Sequence, residues 1–215
     1  MNIKVSTLTP SSAEPAVSSL YPLEEFYARR AGASPIVQTD SDSLDSLSKS
    51  YARRGQAALI WAPIEPAAVP EPYRSLLVHG ADMTSTLESF HKDRLCVEML
   101  GRHVSGQEYF REVVLRLDQS GRPVEFGAIK MLLDLFPAEA RQEILRERQP
   151  LGRILTESGL EFSRQPRAYL HLAADDFINR TLGLSGLQFL YGRRNTLVDA
   201  WERPLAEILE ILPPT

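Results

Sequence analysis

The chain has 215 residues, 43% of them hydrophobic, with 24 Lys and Arg against 28 Asp and Glu and a formal charge of −4. That length and composition suit one globular domain with an extension, and the acidic balance argues against a nucleic-acid surface, which needs clustered basic charge. No apolar run approaches the roughly 20 residues of a membrane span, and the first residues lack the apolar stretch of a signal peptide, so a cytoplasmic protein is expected.

Residues 1–52 are rich in Ser, Pro, Ala and Asp and read as a partly disordered extension, with one short helix at LEEFYARRAG. The compact domain is expected over 53–215. Within it, DMTSTLESFH reads as a helix start, with Asp82 or Thr84 as N-cap and Ser85 to Glu88 spaced as a capping box. LCVEML reads as a short strand, and its Cys96, the one cysteine of the chain, as a small buried hydrophobe. Residues 109 to 131 read as two strands joined by DQSGRP, a hairpin. FPAEARQEILRER is a helix with Pro137 in its first turn, and QPLGRIL starts another with Pro150 at the first helical position. Near the end, LQFLYGRRNTLV and LAEILEIL flank the turn DAWERP. Leu205, Ile208, Leu209 and Leu212 also fit a helical stripe, and periodicity alone slightly favours helix there. Strands alternating with short helices indicate an α+β fold with antiparallel pairing.

The hairpin poses a chemical question. In an extended strand Tyr109, Arg111, Val113, Leu115 and Leu117 share one face, apolar but for Arg111. Burying an unpaired guanidinium costs several kcal/mol, roughly, so Arg111 calls for an anion. A protein carboxylate or a ligand would serve. A second anion site is readable at QPLGRIL, where the N–H groups of Leu151 and Gly152 lack intrahelical partners at the positive end of a helix. The four histidines show no metal-ligand spacing, and neither a GxSxG nor a P-loop motif is present.

In this order, DMTSTLE, REVVLRLDQSGRPVEFGAI, PLGRIL, YGRRNTL and LAEILEILPP resemble the chorismate lyase family and its superfamily, over roughly residues 70 to 214. The resemblance implies an antiparallel sheet with helices against it, and makes LAEILEIL a strand. It implies an enzyme that splits chorismate into 4-hydroxybenzoate and pyruvate with no metal or organic cofactor, for quinone or other aromatic metabolism. It assigns substrate binding to Met83, Arg111, Leu151 and Glu210, and the catalytic roles to Arg111 and Glu210. Glu210 is preferred over Glu207 because it stands four residues before Pro214. Arg164 and Arg193 could add positive potential. The expected partners are chorismate and its product alone, with no nucleic acid and a monomeric chain. The alternative is a non-catalytic aromatic-carboxylate-binding domain, since the same fold serves as the effector module of certain transcription regulators. Those carry a helix-turn-helix ahead of the module, and no convincing one is readable in the first 50 residues, which favours the enzyme.

Overall fold

A computed structural model describes residues 36–38, 47 and 59–215. The helix expected at LEEFYARRAG and most of the extension lie outside the described residues.

Among the described residues eight strands form one sheet: β1 (Ile36–Gln38), β2 (Leu59–Ile64), β3 (Leu95–Ser105), β4 (Glu108–Leu117), β5 (Pro123–Leu132), β6 (Phe162–Ala173), β7 (Phe189–Asp199) and β8 (Pro204–Leu212). Their spatial order is β1-β2-β6-β7-β8-β5-β4-β3. Every neighbouring pair is antiparallel except β1 and β2, which are parallel. Among the described residues the helices that pack on it are α1 (Tyr73–Leu77), α2 (Met83–His91), α3 (Ala138–Arg146), α4 (Leu151–Ser158) and α5 (Asp176–Leu182). This is the α+β architecture expected from the sequence, an antiparallel sheet with flanking helices.

Both faces of the sheet are covered, which explains why β4, β5 and β8 are apolar on both parities. On one face Phe110, Val114, Phe126, Ala128, Leu209 and Ile211 pack with Ile178 and Leu182 of α5. On the other, Tyr109, Ile129 and Ile208 pack under Ala140 and Ile144 of α3 and Leu151, Ile154 and Leu155 of α4. Val113, Leu115 and Leu212 lie on that same face, under Leu77 of α1 and Met83 and Leu87 of α2. The helices α1 to α4 therefore roof one face, and the two clusters meet beneath them.

Asp82 is the N-cap of α2, its Oδ2 accepting from the Ser85 N–H at 2.8 Å. Glu88 is not a capping-box partner; its Oε1 accepts from the Leu95 N–H and from Arg153 of α4. Pro137 and Pro150 each stand one residue earlier than expected, as N-caps in extended backbone rather than first helical residues. The hairpin turn is closed by the Gly121 N–H donating to the Leu117 carbonyl at 2.8 Å, with Gly121 at φ 70, a value that suits glycine. LCVEML extends into the eleven-residue β3. Cys96 is exposed, against the expectation of burial. It lies on the edge strand β3 with its parity opposite to Leu95, Val97 and Met99, which pack into the cluster beneath α1 and α2. Residues 205–212 are a strand, not a helix. There both faces are buried between β7 and β5, so the apolar residues that mimic a helical stripe are two strand faces read together.

Candidate functional site

Strand register assembles the site. Arg111 of β4 pairs with Ile129 of β5, Ile129 with Ile208 of β8, and Ile208 with Asn195 of β7, making one transverse row across four strands. Two residues along, Val113, Gly127, Glu210 and Arg193 form a second row. Leu115 and Glu125 begin a third. Because side chains alternate, all three rows face α2 and α4. They line one cavity of about 50 Å³, roofed by Asp82, Met83 and Thr84 at the start of α2 and by Pro150, Leu151, Gly152 and Leu155 of α4.

The cavity contains all four residues singled out in the sequence, Met83, Arg111, Leu151 and Glu210. Glu207 has the opposite parity on β8 and pairs with Lys130 at 3.0 Å. Arg111 is wholly buried, and its Nε and Nη1 have no hydrogen-bond partner among the described residues. Desolvation pulls its pKa down, partly offset by Tyr109 and Glu147. A guanidinium keeps its proton even so. Arg111 is a desolvated cation beside a cavity.

Arg193 differs in its surroundings. It is equally buried, but Nε and Nη2 reach the two Glu210 carboxylate oxygens, and Nη1 donates to the carbonyls of Leu77 at 3.0 Å and His79 at 3.1 Å. Burial pulls its pKa down, yet the charge and hydrogen bonds of Glu210 outweigh that and hold it above the ordinary value. Glu210 is consequently engaged from inside the protein. Arg164 lies 3.5 Å from Asp82, so the extra arginines considered in the sequence are each matched by an acid.

Two polar groups escape sequence reasoning. Glu125, 5% exposed, has its Oε2 buried without a partner, and Asn195, 3% exposed, has Oδ1 in the same condition. Desolvation, then the charge of Glu210, push the Glu125 pKa well up; Arg193 opposes this and Asp82 adds to it. Once Arg111 is paired with Ile129 by the hairpin, parity alone places Glu125 on the Arg111 face, so PVEFGAI carried the signal. Asn195 carries none, since a polar residue in GRRN reads equally well as solvated.

The positive end of α4 already faces a carboxylate of this chain. A Cβ at Gly152 would collide with the Asp82 carboxylate, so only glycine lets α2 and α4 approach this closely. Leu151 stays at the cavity wall beside that contact.

Among the described residues no group of His, Cys, Asp and Glu is disposed to hold a metal ion, and no helix is long and apolar enough to cross a membrane.

Comparison with known proteins adds the fold. No protein-family model and no curated protein sequence matches the chain. Solved structures do match. PhnF from Mycobacterium smegmatis superposes with a TM-score of 0.51 at 12% identity, covering 63% of this chain and 65% of that one. The match thus spans just under two thirds of the PhnF chain. A GntR-family transcriptional regulator from Bacillus cereus gives a TM-score of 0.43 at 13% identity, over 56% of this chain and 92% of that one. The ligand-binding domain of a putative GntR-family regulator from Bordetella bronchiseptica gives 0.42 at 14% identity, over 55% and 85%. At such identities the likeness to PhnF concerns the fold alone, and no chorismate lyase is among these neighbours.

Proposed function

We propose that this domain binds a small monocarboxylate of the benzoate class in the cavity and holds it without turnover. The observation that carries this reading is the charge balance of the wall. Three arginines and three acids line the cavity. Arg193 is matched by Glu210 and Arg164 by Asp82, while Glu125 favours its neutral form, so Arg111 supplies the one uncompensated positive charge. A planar carboxylate meets a guanidinium through two parallel charge-assisted hydrogen bonds, which supplies the acceptors that Arg111 lacks.

Chorismate fits this balance less well. It carries two carboxylates, and the second would meet only arginines already paired with acids of the wall. The residue that the family resemblance assigns to proton movement, Glu210, is held by Arg193. The lyase reading keeps one specific support: Met83, Arg111, Leu151 and Glu210, taken from separate motifs, line the same cavity. If it holds, aromatisation of the ring supplies the driving force and positioning carries most of the catalysis.

Calorimetric titration with benzoate and 4-hydroxybenzoate, beside incubation with chorismate in EDTA and chromatography of the products, tests both readings. Saturable benzoate binding with chorismate unchanged is the expected result. Equimolar pyruvate and 4-hydroxybenzoate would replace it with the lyase reading, and no binding of any of the three would overturn both.

A further inference from the structure

Glu125 is a buried acid with no obvious structural purpose. It forms no ion pair among the described residues, its Oε2 has no hydrogen-bond partner, and it faces the cavity. The nearest cation able to compensate it, Arg193, is committed to Glu210 and to two backbone carbonyls. A buried group in that condition costs stability unless something outside the fold satisfies it.

Register shows what that could be. Arg111 is opposite Ile129 and Leu115 opposite Glu125, so the two polar ends of the site are separated by four residues of β5, about 14 Å at roughly 3.4 Å per residue. Between them lie Val113 and Gly127, which are also paired. The Glu125 carboxyl lies over Gly127: a Cβ there would stand in ordinary contact, 3.5 Å, with Glu125 Oε1, and more tightly, 3.1 Å, against Val113 Cγ2. Glu125 therefore leans over Gly127, toward Arg111, across a span that suits a small ligand between two side chains.

We infer that Glu125 is a specificity-determining residue of this pocket, donating a hydrogen bond to a hydroxyl or carbonyl oxygen at the end of the ligand remote from its carboxylate. The inference rests on the carboxylate-binding reading above. Geometry makes the neutral acid the fitting species, because an ionised Glu125 would be desolvated, partnerless and beside Glu210. The direction of its pKa agrees. A neutral Glu125 also leaves the pocket one positive charge for one anion, whereas ionisation would cancel that charge. The ligand class follows: a monoanion with a polar, uncharged group opposite its carboxylate, in preference to a dianion or a plain hydrocarbon acid.

The sign of the pH dependence is fixed by the groups around Glu125. Asp82 at the start of α2, Arg111 on β4, Arg164 and Tyr169 on β6, Arg193 on β7 and Glu210 on β8 face it or its partners, and His79, before α2, touches Arg193 at 3.5 Å. Burial and Arg193 hold His79 below its ordinary pKa, which favours its neutral form. Burial and the charge of Glu210 push the Glu125 pKa up, and its ionisation weakens binding of an anion. Affinity should fall as pH rises through the raised Glu125 pKa.

Calorimetry on wild type, E125Q and E125L with 4-hydroxybenzoate and benzoate decides it. Wild type should prefer 4-hydroxybenzoate by about three- to tenfold, the value of one hydrogen bond. E125Q should keep most of the preference and lose the pH dependence. E125L should bind benzoate at least as well as wild type with no preference for the hydroxyl. Infrared difference spectra of wild type minus E125Q, without ligand, should show a protonated carboxyl that persists above the pH at which an exposed glutamate ionises. Benzoate binding with the preference intact in E125L, or a spectrum lacking that carboxyl, would overturn this assignment alone. Failure of both ligands to bind wild type would overturn the carboxylate reading on which it rests.

Discussion

Arg111 and Arg193 show how one residue type takes opposite roles on one sheet face. Arg193 is satisfied from inside by Glu210 and by the carbonyls of Leu77 and His79, which tie the end of α1 to β7 and β8. Replacing it with Ala strands a buried carboxylate and frees that segment, so R193A should lose about 3 to 5 kcal/mol in denaturant melts. The double variant R193L/E210L should recover much of the loss, because apolar side chains of similar volume remove both charges at once. A double variant no more stable than R193A would mean that Glu210 owes nothing to Arg193. At this scale the sequence was legible where parity isolates a charge among apolar neighbours, as at Arg111. It was silent on which arginine finds a protein partner, because Glu210 reaches Arg193 through strand pairing between segments whose register no local pattern encodes. The face of Glu125 follows from the hairpin, but its burial does not, because a lone Glu in a strand reads equally well as solvated.

Among the elements, those with their own punctuation were readable in advance: the β4–β5 hairpin with its glycine turn, α2 with its Asp82 cap, and α3 and α4 with their leading prolines. β8 was not, because a central strand buried on both faces has no alternation, and its Leu and Ile spacing imitates a helix. The roof is the element-scale feature with most bearing on binding. The α2 and α4 helices are joined by the Glu88–Arg153 ion pair at 2.5 Å and by the packing of Asp82 against Gly152. A benzene ring occupies a cavity of roughly 150 Å³, well above the 50 Å³ here, so an aromatic ligand requires α2 and α4 to part. Removing the ion pair should ease that step. R153A should raise the association rate for 4-hydroxybenzoate severalfold in stopped-flow measurements while changing stability by less than about 1 kcal/mol, since the pair is partly exposed. An unchanged association rate would show that ligand enters elsewhere than between these helices.

For the whole molecule, β1 pairs with β2 and Leu47 is buried beside Ile60 and Ala173, so two short pieces of the Ser- and Pro-rich N-terminal region contact the sheet. Composition reports average polarity and misses a three-residue strand or a single anchoring leucine. The described residues form a sheet roofed so that one face holds Arg111 beside a cavity, and on the proposed function Arg111 is kept there for a ligand rather than for the fold. Stability and affinity of the same variant separate the two possibilities. R111A should melt at the same denaturant concentration as wild type or higher, because the folded protein is relieved of a desolvated charge. Its affinity for 4-hydroxybenzoate should fall by roughly 2 to 5 kcal/mol, with R111K recovering only part because an ammonium cannot reproduce the fork. The contradicting result is the reverse pattern: R111A losing about 3 kcal/mol or more of stability, as when a buried protein carboxylate is stranded, while its affinity for 4-hydroxybenzoate stays that of wild type.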